Sequence, residues 1–497
     1  MEVTDGSLAH PSTADRALVR RLGSLLLEAN YSEDGIASTI GTRRRGIWND
    51  RKLPFYLRRT TQGTPLEIFI RLFALGVSVA VEEVEAALDP LSVDLLRNMG
   101  VLRHEARDPR VCSSAVEISP YKGLLLAHDP WGSAAPTFAR SVPGLAASPM
   151  WLDASTIRRR VASALDIGTG SGVQALLAAR HSDRVTATDI NERSLEFCDF
   201  NAAMNGSQTI TTIQGDLFEP VQGQLFELIV CNPPYIVSPE REHLYSDGGI
   251  GPTGFCQRLL SQLPGYLAEG GYACIVADWP LHDGDRWSDP PSRWIEGGGC
   301  DVLLLQDHRM TPLTYAASMN SDLAGRGSRY DEKLESWTSY YRASEIREIV
   351  GGVVIVRRRS TGKNWIETVI APPSKGGAGD HLLQMFEGYD LTRGETNELL
   401  QMFPRMVDGC DLRERYIVRS GQELEVRRTV RRSTGMQFVE ELTEPEWALL
   451  RRCDGSRMLG DLLSVTMGDA ESYREPSINK MRTLAQMGMI EFLPRPA

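Results

Sequence analysis

The sequence has no Cys-x-x-Cys pair; its eight cysteines, at 112, 198, 231, 256, 274, 300, 410 and 453, are scattered. Zinc ribbons and redox dithiols therefore have no support, and no metal site is expected. Cysteines set in apolar runs are expected to be reduced, buried thiols. No run of about 18 apolar residues occurs, which excludes a membrane-spanning helix. Residues 1–16 (MEVTDGSLAHPSTADR) lack a basic start followed by an apolar stretch, so no secretory signal is read there. Positive charge is also in deficit. The 54 Lys+Arg against 65 Asp+Glu leave −11, which argues against a whole-surface nucleic-acid binder but permits a local basic groove. A cytoplasmic protein fits these absences.

The 497 residues suffice for two to four domains at about 100–200 residues each. The 42% apolar and 24% charged fractions exclude wholesale disorder, collagen and disulfide-scaffold classes. Residues 1–105 read as a helical unit. Ser12 and Thr13 are placed to cap a helix with apolar Leu18, Leu22, Leu25 and Leu26. Further helices are predicted over Pro65–Leu75, Val81–Leu88 and Val93–Met99, with an extended segment from Val101. That rhythm suits either a winged-helix-like fold or a generic helical cap. The Gly/Pro/Ser-rich stretch from Trp131 to Pro149 reads as a loop over a site. From Ala162 short apolar runs alternate with helical stretches, the signature of a doubly wound α/β sheet. The runs are Ser163–Ile167, Arg184–Asp189, Thr209–Gln214, Leu228–Cys231, Gly271–Ala277, Val302–Gln306, Gly352–Arg357 and Trp365–Ile370. The expected architecture is a core over 106–371 with an insertion at 278–330, a linker at 372–384, and a small C-terminal winged-helix-like unit over 385–497.

The central signal is Asp166-Ile167-Gly168-Thr169-Gly170-Ser171-Gly172, between a predicted strand and the predicted helix Val173–Arg180. Glycines permit a tight turn and close ligand approach, and the helix start offers unpaired N–H groups. Such a loop alone is a weak signal, because dinucleotide folds use a related one. Three strand ends narrow it. Asp189, followed by Ile190, is placed to accept both hydroxyls of a ribose. Asp216, followed by Leu217, is placed to accept from an adenine amino group. Asn232-Pro233-Pro234-Tyr235 ends the fourth strand. All lie at the sheet edge where open α/β sheets bind ligands.

The stretch from about 162 to 280 resembles a class I methyltransferase that uses S-adenosylmethionine. The resemblance implies a Rossmann-like sheet of seven strands, the last antiparallel. It also implies a cofactor site of Asp166, Gly168, Thr169, Gly170, Gly172, Asp189, Ile190, Asp216, Leu217 and Asn232. A dinucleotide-binding oxidoreductase does not explain Asn-Pro-Pro-Tyr. That tetrapeptide has its own logic. An amide or aromatic amine nitrogen is a poor nucleophile and must be held in line with the donor, about 3–3.5 Å away. The Asn232 side-chain oxygen and the Pro233 carbonyl are placed to accept its two N–H groups, with the proline ring of Pro234 fixing the backbone. The Tyr235 ring stacks on a flat acceptor and stabilises developing positive charge. The tetrapeptide is similar to that of N-methyltransferases acting on protein glutamine, nucleic-acid amines or small-molecule nitrogens. Tyr245-Ser246-Asp247-Gly248-Gly249 and Gly254-Phe255 resemble a segment of release-factor glutamine methyltransferases, the HemK/PrmC-like group. The whole arrangement resembles actinobacterial-type methyltransferases with flanking winged-helix-like units. Phe73-Ala74-Leu75-Gly76 and Pro312-Leu313-Thr314-Tyr315-Ala316 are among the matching pieces.

The expected activity is N-methylation of a protein side chain or RNA base. The alternative is tailoring of a peptide or other natural product recruited by the flanking units, since Leu449–Ser456 resembles peptide-chaperone modules. A non-enzymatic binding protein with a degenerate core is the competing class, opposed by the intact Asp166, Asp189, Asp216 and Asn232. Beyond these, His128 and Asp129 are read as a solvated turn or a site wall. Trp131 and Trp151 are candidate pocket walls or core aromatics. His308, Tyr315, Trp279, Trp287 and Trp294 fall in the 278–330 insertion, a candidate substrate lid. Arginine clusters at 43–45, 158–160, 357–359, 427–428 and 431–432 are expected to be solvated or paired with carboxylates, with phosphate contact as the alternative.

Overall fold

The computed structural model describes residues 11–42, 52–105, 108–130, 141–239, 254–324, 327–419, 422–467 and 471–494. The chain divides into two compact units. One comprises Met1–Leu152, Arg160–Leu304 and His308–Glu367; the other comprises Asp153–Arg159, Leu305–Asp307 and Thr368–Ala497. No helix among the described residues is long and apolar enough to cross a membrane.

Each predicted apolar run of the core forms a strand. They are β1 (Val161–Ile167), β2 (Ser182–Asp189), β3 (Ile210–Gln214), β4 (Phe226–Cys231), β5 (Leu267–Leu281), β6 (Cys300–Met310), β7 (Glu348–Arg358) and β8 (Ile366–Ile370). They make one sheet in the order β8-β6-β7-β5-β4-β1-β2-β3. β1 pairs parallel with β2 and β4, β2 with β3, and β4 with β5, whereas β5 and β7 are antiparallel. Continuous apolar runs make sense here, because the central strands are buried on both faces. The sheet has eight strands, one more than the expected seven. The added strand β8 is an edge, and its alternating exposure marks it as covered on one face only. The β1–β4 register sets Ile167 beside Cys231, so Gly168 and Asn232 leave the sheet as neighbours.

Residues 278–330 are not an inserted lid. β5 runs on to Leu281 because Asp278–Leu281 keep pairing with Glu348–Gly351 of β7. β6 then lies within the sheet between β7 and β8. Trp279 is fully buried, and its indole N–H donates to the Trp287 carbonyl at 2.7 Å. Helices connect the strands: α1 (Val173–Ala178), α2 (Glu192–Met204), α3 (Gly254–Gln262), α4 (Pro312–Met319) and α5 (Ser328–Ala343).

Ahead of the sheet lie helices Arg16–Glu28, Glu33–Ile40, Leu53–Arg58, Pro65–Phe69, Val81–Leu88 and Val93–Asn98. A π-turn extends the fourth over Ile70–Ala74. A three-stranded antiparallel sheet (Val79–Ala80, Asp108–Ser114, Leu102–Glu105) and a hairpin (Glu117–Tyr121, Leu124–His128) complete this part. The first helix is capped by Asp15, whose carboxylate accepts from Ala17 and Leu18 N–H, rather than by Ser12 or Thr13. One hydrophobic cluster joins these helices to Phe197, Phe200, Ala203 and Met204 of α2, so this part and the sheet share a core. The first helix approaches α2 at Gly23, where a Cβ would overlap the Met204 carbonyl oxygen.

The hairpin strand Leu124–His128 meets a helix as if it were a strand. Asn201 accepts from Ala127 N–H (2.7 Å) and donates to its carbonyl (2.9 Å). Asn205 does the same for Leu125, at 2.9 and 2.7 Å. The match is geometric: four residues of helix rise about 6 Å, close to the roughly 6.6 Å spanned by two residues of strand. Asn201 also donates to the Ser171 carbonyl, at 2.8 Å, tying the hairpin to the glycine loop.

In the second unit the helix Gly379–Thr392 begins inside the stretch read as linker. A long hairpin (Cys410–Arg419, Gln422–Arg432) with Val439–Leu442 was not anticipated. Helices Glu444–Leu450, Leu459–Met467 and Glu471–Gln486 follow, and the last strand, Ile490–Leu493, pairs with Phe403–Met406.

Asn201→Ala should lower the unfolding free energy by about 1–3 kcal/mol, because buried backbone groups lose their partner. An unchanged denaturant midpoint would contradict that pairing.

Candidate active site

A cavity of ≈ 250 Å³ opens at the carboxyl ends of β1, β2, β3 and β4. Its lining includes Asp166, Gly168, Thr169, Gly170, Asp189, Ile190, Asp216, Leu217 and Asn232–Tyr235. All but one of the site residues expected from sequence thus come together. The exception is Gly172. It caps α1 with φ +82°, and a Cβ there would lie 2.7 Å from Cys198 Sγ, so its smallness serves the α1–α2 contact.

The loop is held from beneath by two carboxylates. Asp166 Oδ2 accepts from the Thr169 hydroxyl (2.7 Å) and Ala175 N–H (2.9 Å). Asp189 Oδ2 accepts from Gly170 N–H (3.0 Å), and its Oδ1 from Asn191 N–H (2.9 Å). Burial pushes both carboxyls above their usual range, Asp166 to about 7. Gly168 and Gly170 adopt φ +67° and +53°, and a Cβ on either would meet nothing within 4 Å. Two bare positions therefore face open space beside Asp189, a cradle suited to a nucleoside and its attached chain. Asp189 itself lines the cavity beside these glycines.

Asp216 is not isolated. Arg258 of α3 donates to its Oδ2 at 2.7 Å, both side chains being about one-third exposed. Leu217, at φ +49°, is buried, whereas Ile190 is exposed at the rim. The Asn232 amide oxygen is shielded from water and has no hydrogen-bond partner among the described residues. Such a buried orphan costs about 1–3 kcal/mol unless a ligand completes it. Tyr235 is half-buried against the core cluster beneath β4 and β5.

Sequence reasoning did not single out Pro143, Gly144, Gln174, Ile236 or Phe255 as lining residues. The signals existed: the first two belong to the Gly/Pro-rich stretch, and Phe255 to the segment after the tetrapeptide. Tyr245–Gly249, Trp131 and Arg43–Arg45 lie outside the described residues. His128 and Asp129 are neither solvated nor lining. His128 is buried, its Nε2 2.9 Å from Ser119 Oγ, and burial lowers its pKa. It backs the cavity wall, since a Cβ on Gly144 would sit 2.5 Å from its ring. Asp129 accepts from Val142 N–H (2.7 Å) and Arg193 Nε (3.1 Å). Trp151 is half-buried on the helix Ala147–Ser155, away from the lining. Several clustered arginines have carboxylate partners: Arg357 and Arg359 share buried Asp301 (2.6 and 2.8 Å), and Arg428 pairs with Glu414 (2.7 Å).

The raised Asp166 fixes the sign of a pH effect. The unfolded chain loses this proton near its ordinary 3.8, the folded chain near 7. The folded state therefore holds more protons in between, and the stability contributed by this group is present below the lower value and lost as pH rises through the upper one. Asp166→Asn should gain stability relative to the parent between pH 4.5 and 7.5 in urea unfolding. A difference independent of pH would contradict this.

The methyltransferase small domain family matches residues 151–283. A domain of unknown function matches residues 28–112. A ribosomal protein uL3 glutamine methyltransferase of Bradyrhizobium diazoefficiens is 32% identical over 27% of this chain and 46% of its own length. A release factor glutamine methyltransferase of Xylella fastidiosa is 34% identical over 24% of this chain and 47% of its own. A ribosomal RNA small subunit methyltransferase C of Alcanivorax borkumensis is 32% identical over 24% and 32%. The chain thus spans under half the length of these relatives. Among solved structures, a ribosomal protein L11 methylase of Lactobacillus delbrueckii aligns with 21% identity over 43% of this chain and 77% of that one, with a TM-score of 0.25. Residues 151–283 thus carry a methyltransferase small domain, a class I, S-adenosylmethionine-dependent methyltransferase core that is similar to the glutamine methyltransferases above.

Proposed function

We propose that the chain is an N-methyltransferase whose acceptor is a planar amide or amine nitrogen of a macromolecule, with a protein side-chain amide favoured. The observation that carries this reading is the Asn232 amide oxygen at the cavity, without a hydrogen-bond partner among the described residues, five residues before the buried anchor Val237. A ribosomal protein and a release factor are named as the targets of two relatives, which supports a protein amide. A third relative is named for ribosomal RNA, which keeps a base amine as the second acceptor.

Bound S-adenosylmethionine supplies an electrophilic methyl group. The residues of this chain do the rest. Asp189 holds the ribose hydroxyls. Asp216, paired with Arg258, faces the adenine side with Ile190 and Leu217. Asn232 Oδ1 and the Pro233 carbonyl accept the two N–H groups of the acceptor and orient its lone pair. These acceptors gain strength as the nitrogen becomes positive, so they favour the transition state over the ground state. Tyr235 stacks on the flat acceptor group. Proton loss follows transfer, so no strong base is needed.

Asn232→Ala should cut transfer by about 10²–10³-fold while cofactor affinity stays nearly constant. Retained turnover would refute the role of Asn232. Asp189→Ala should weaken S-adenosylhomocysteine binding by about 10–100-fold, as two hydrogen bonds to the ribose are lost. Unchanged affinity by calorimetry would remove Asp189 from the site.

A further inference from the structure

The acceptor turn leaves the sheet at Cys231, and residues 232–238 form no further strand. Their backbone groups must find partners elsewhere if buried. Val237 is fully buried, and two tyrosines serve it. Its N–H donates to Tyr315 Oη of α4 at 3.2 Å, and its carbonyl accepts from Tyr341 Oη of α5 at 2.6 Å. Tyr315 in turn donates to Asp278 Oδ2 at 2.7 Å. That bond commits the hydroxyl proton to the carboxylate and turns a lone pair toward Val237. Both rings are fully buried and meet edge-on at 6.4 Å, within a cluster that also holds Trp337, Ile346 and Ile349. His308 stacks over Tyr315 at 6.3 Å, with Nε2 3.6 Å from Asp278 Oδ1. Gly351 of β7 makes room for this group, since a Cβ there would overlap Asp278 and His308.

We infer that Tyr315 and Tyr341, with Asp278 behind Tyr315, are positioning residues that clamp the Val237 peptide and thereby set the aim of Asn232 and the Pro233 carbonyl. This placement rests on the acceptor reading above. It gives a purpose to Pro312-Leu313-Thr314-Tyr315-Ala316, which otherwise has none in the chemistry. α4 and α5 pack against the acceptor turn and hold it at one point by both backbone groups. Only Ile236 separates Val237 from Tyr235, so slack at the clamp reaches the acceptor directly. None of the three clamp residues lines the cavity.

Tyr315→Phe and Tyr341→Phe keep the rings and remove only the hydroxyls. Three measurements on the full chain are needed: hydrogen exchange of the 232–239 segment, S-adenosylhomocysteine affinity by calorimetry, and transfer of tritiated methyl to the protein fraction of host lysate. The expected result for Tyr315→Phe is about tenfold faster exchange at Val237. Transfer should fall about 10–100-fold, as a misaimed acceptor predicts, with cofactor affinity unchanged. Asp278→Asn, which keeps an acceptor for the hydroxyl, should retain transfer; Asp278→Ala should behave like Tyr315→Phe. Unchanged Val237 exchange overturns the clamp, and so does a parallel loss of cofactor affinity. Asn232→Ala run alongside separates the two claims. If it keeps transfer, the acceptor reading and the clamp both fall. If it loses transfer while Tyr315→Phe does not, only the clamp falls.

Discussion

A carboxylate buried at the end of the first core strand has a high desolvation cost, and the site depends on how Asp166 meets it. Its Oδ2 takes the Thr169 hydroxyl and the Ala175 amide, so the chain must turn sharply between them. Glycine at 168 and 170 makes that turn sterically cheap at positive φ. The turn delivers the Gly170 amide to Asp189, the acid that ends the neighbouring strand. Two carboxylates that repel each other thus share one loop, and burial lifts both toward the neutral form. Asp166 is thereby hydrogen-bonded to the loop and to the start of α1, and Asp189 to the loop.

The bonding extends in two directions. Through Ser171 and Asn201 the loop is bonded to α2, and through Asn201 and Asn205 to the N-terminal hairpin. The Asp129–Arg193 pair fixes the start of α2, with the guanidinium over Phe197 at 5.1 Å. The N-terminal hairpin is therefore tied through α2 to the glycine loop. On the other side, α4 and α5 grip the chain beyond the acceptor turn. The glycine loop and the turn after β4 are thus each anchored by side chains that do not themselves line the cavity: Asn201 on one side, Tyr315 and Tyr341 on the other.

What the sequence disclosed was what short-range pattern controls. Strand runs such as Leu228–Cys231 stand out because a strand buried on both faces must be apolar throughout. Asp166, Asp189, Asp216 and Asn232 stand out because polar residues end those runs. The illegible features depend on distant partners. Gly172 reads as a third loop glycine, yet it answers Cys198 on another helix. Asp216 looks like a free acceptor until Arg258 is placed beside it. The extension of β5 past Ala277 is set by pairing with β7, so 278–330 looks like an insertion when it supplies the end of β5 and all of β6. Asp15 outcompetes Ser12 and Thr13 because the helix starts at Arg16, a boundary that pattern locates only to within a few residues.

The central claim is that this cavity delivers a methyl group to a planar nitrogen. It is tested most directly by incubating the full chain with tritiated S-adenosylmethionine and host lysate, digesting with protease or nuclease, and identifying the labelled atom by mass spectrometry. The account predicts label on nitrogen in a macromolecular fraction, with a side-chain amide as the first expectation. Label on oxygen, sulfur or carbon, or no enzyme-dependent incorporation, would contradict it.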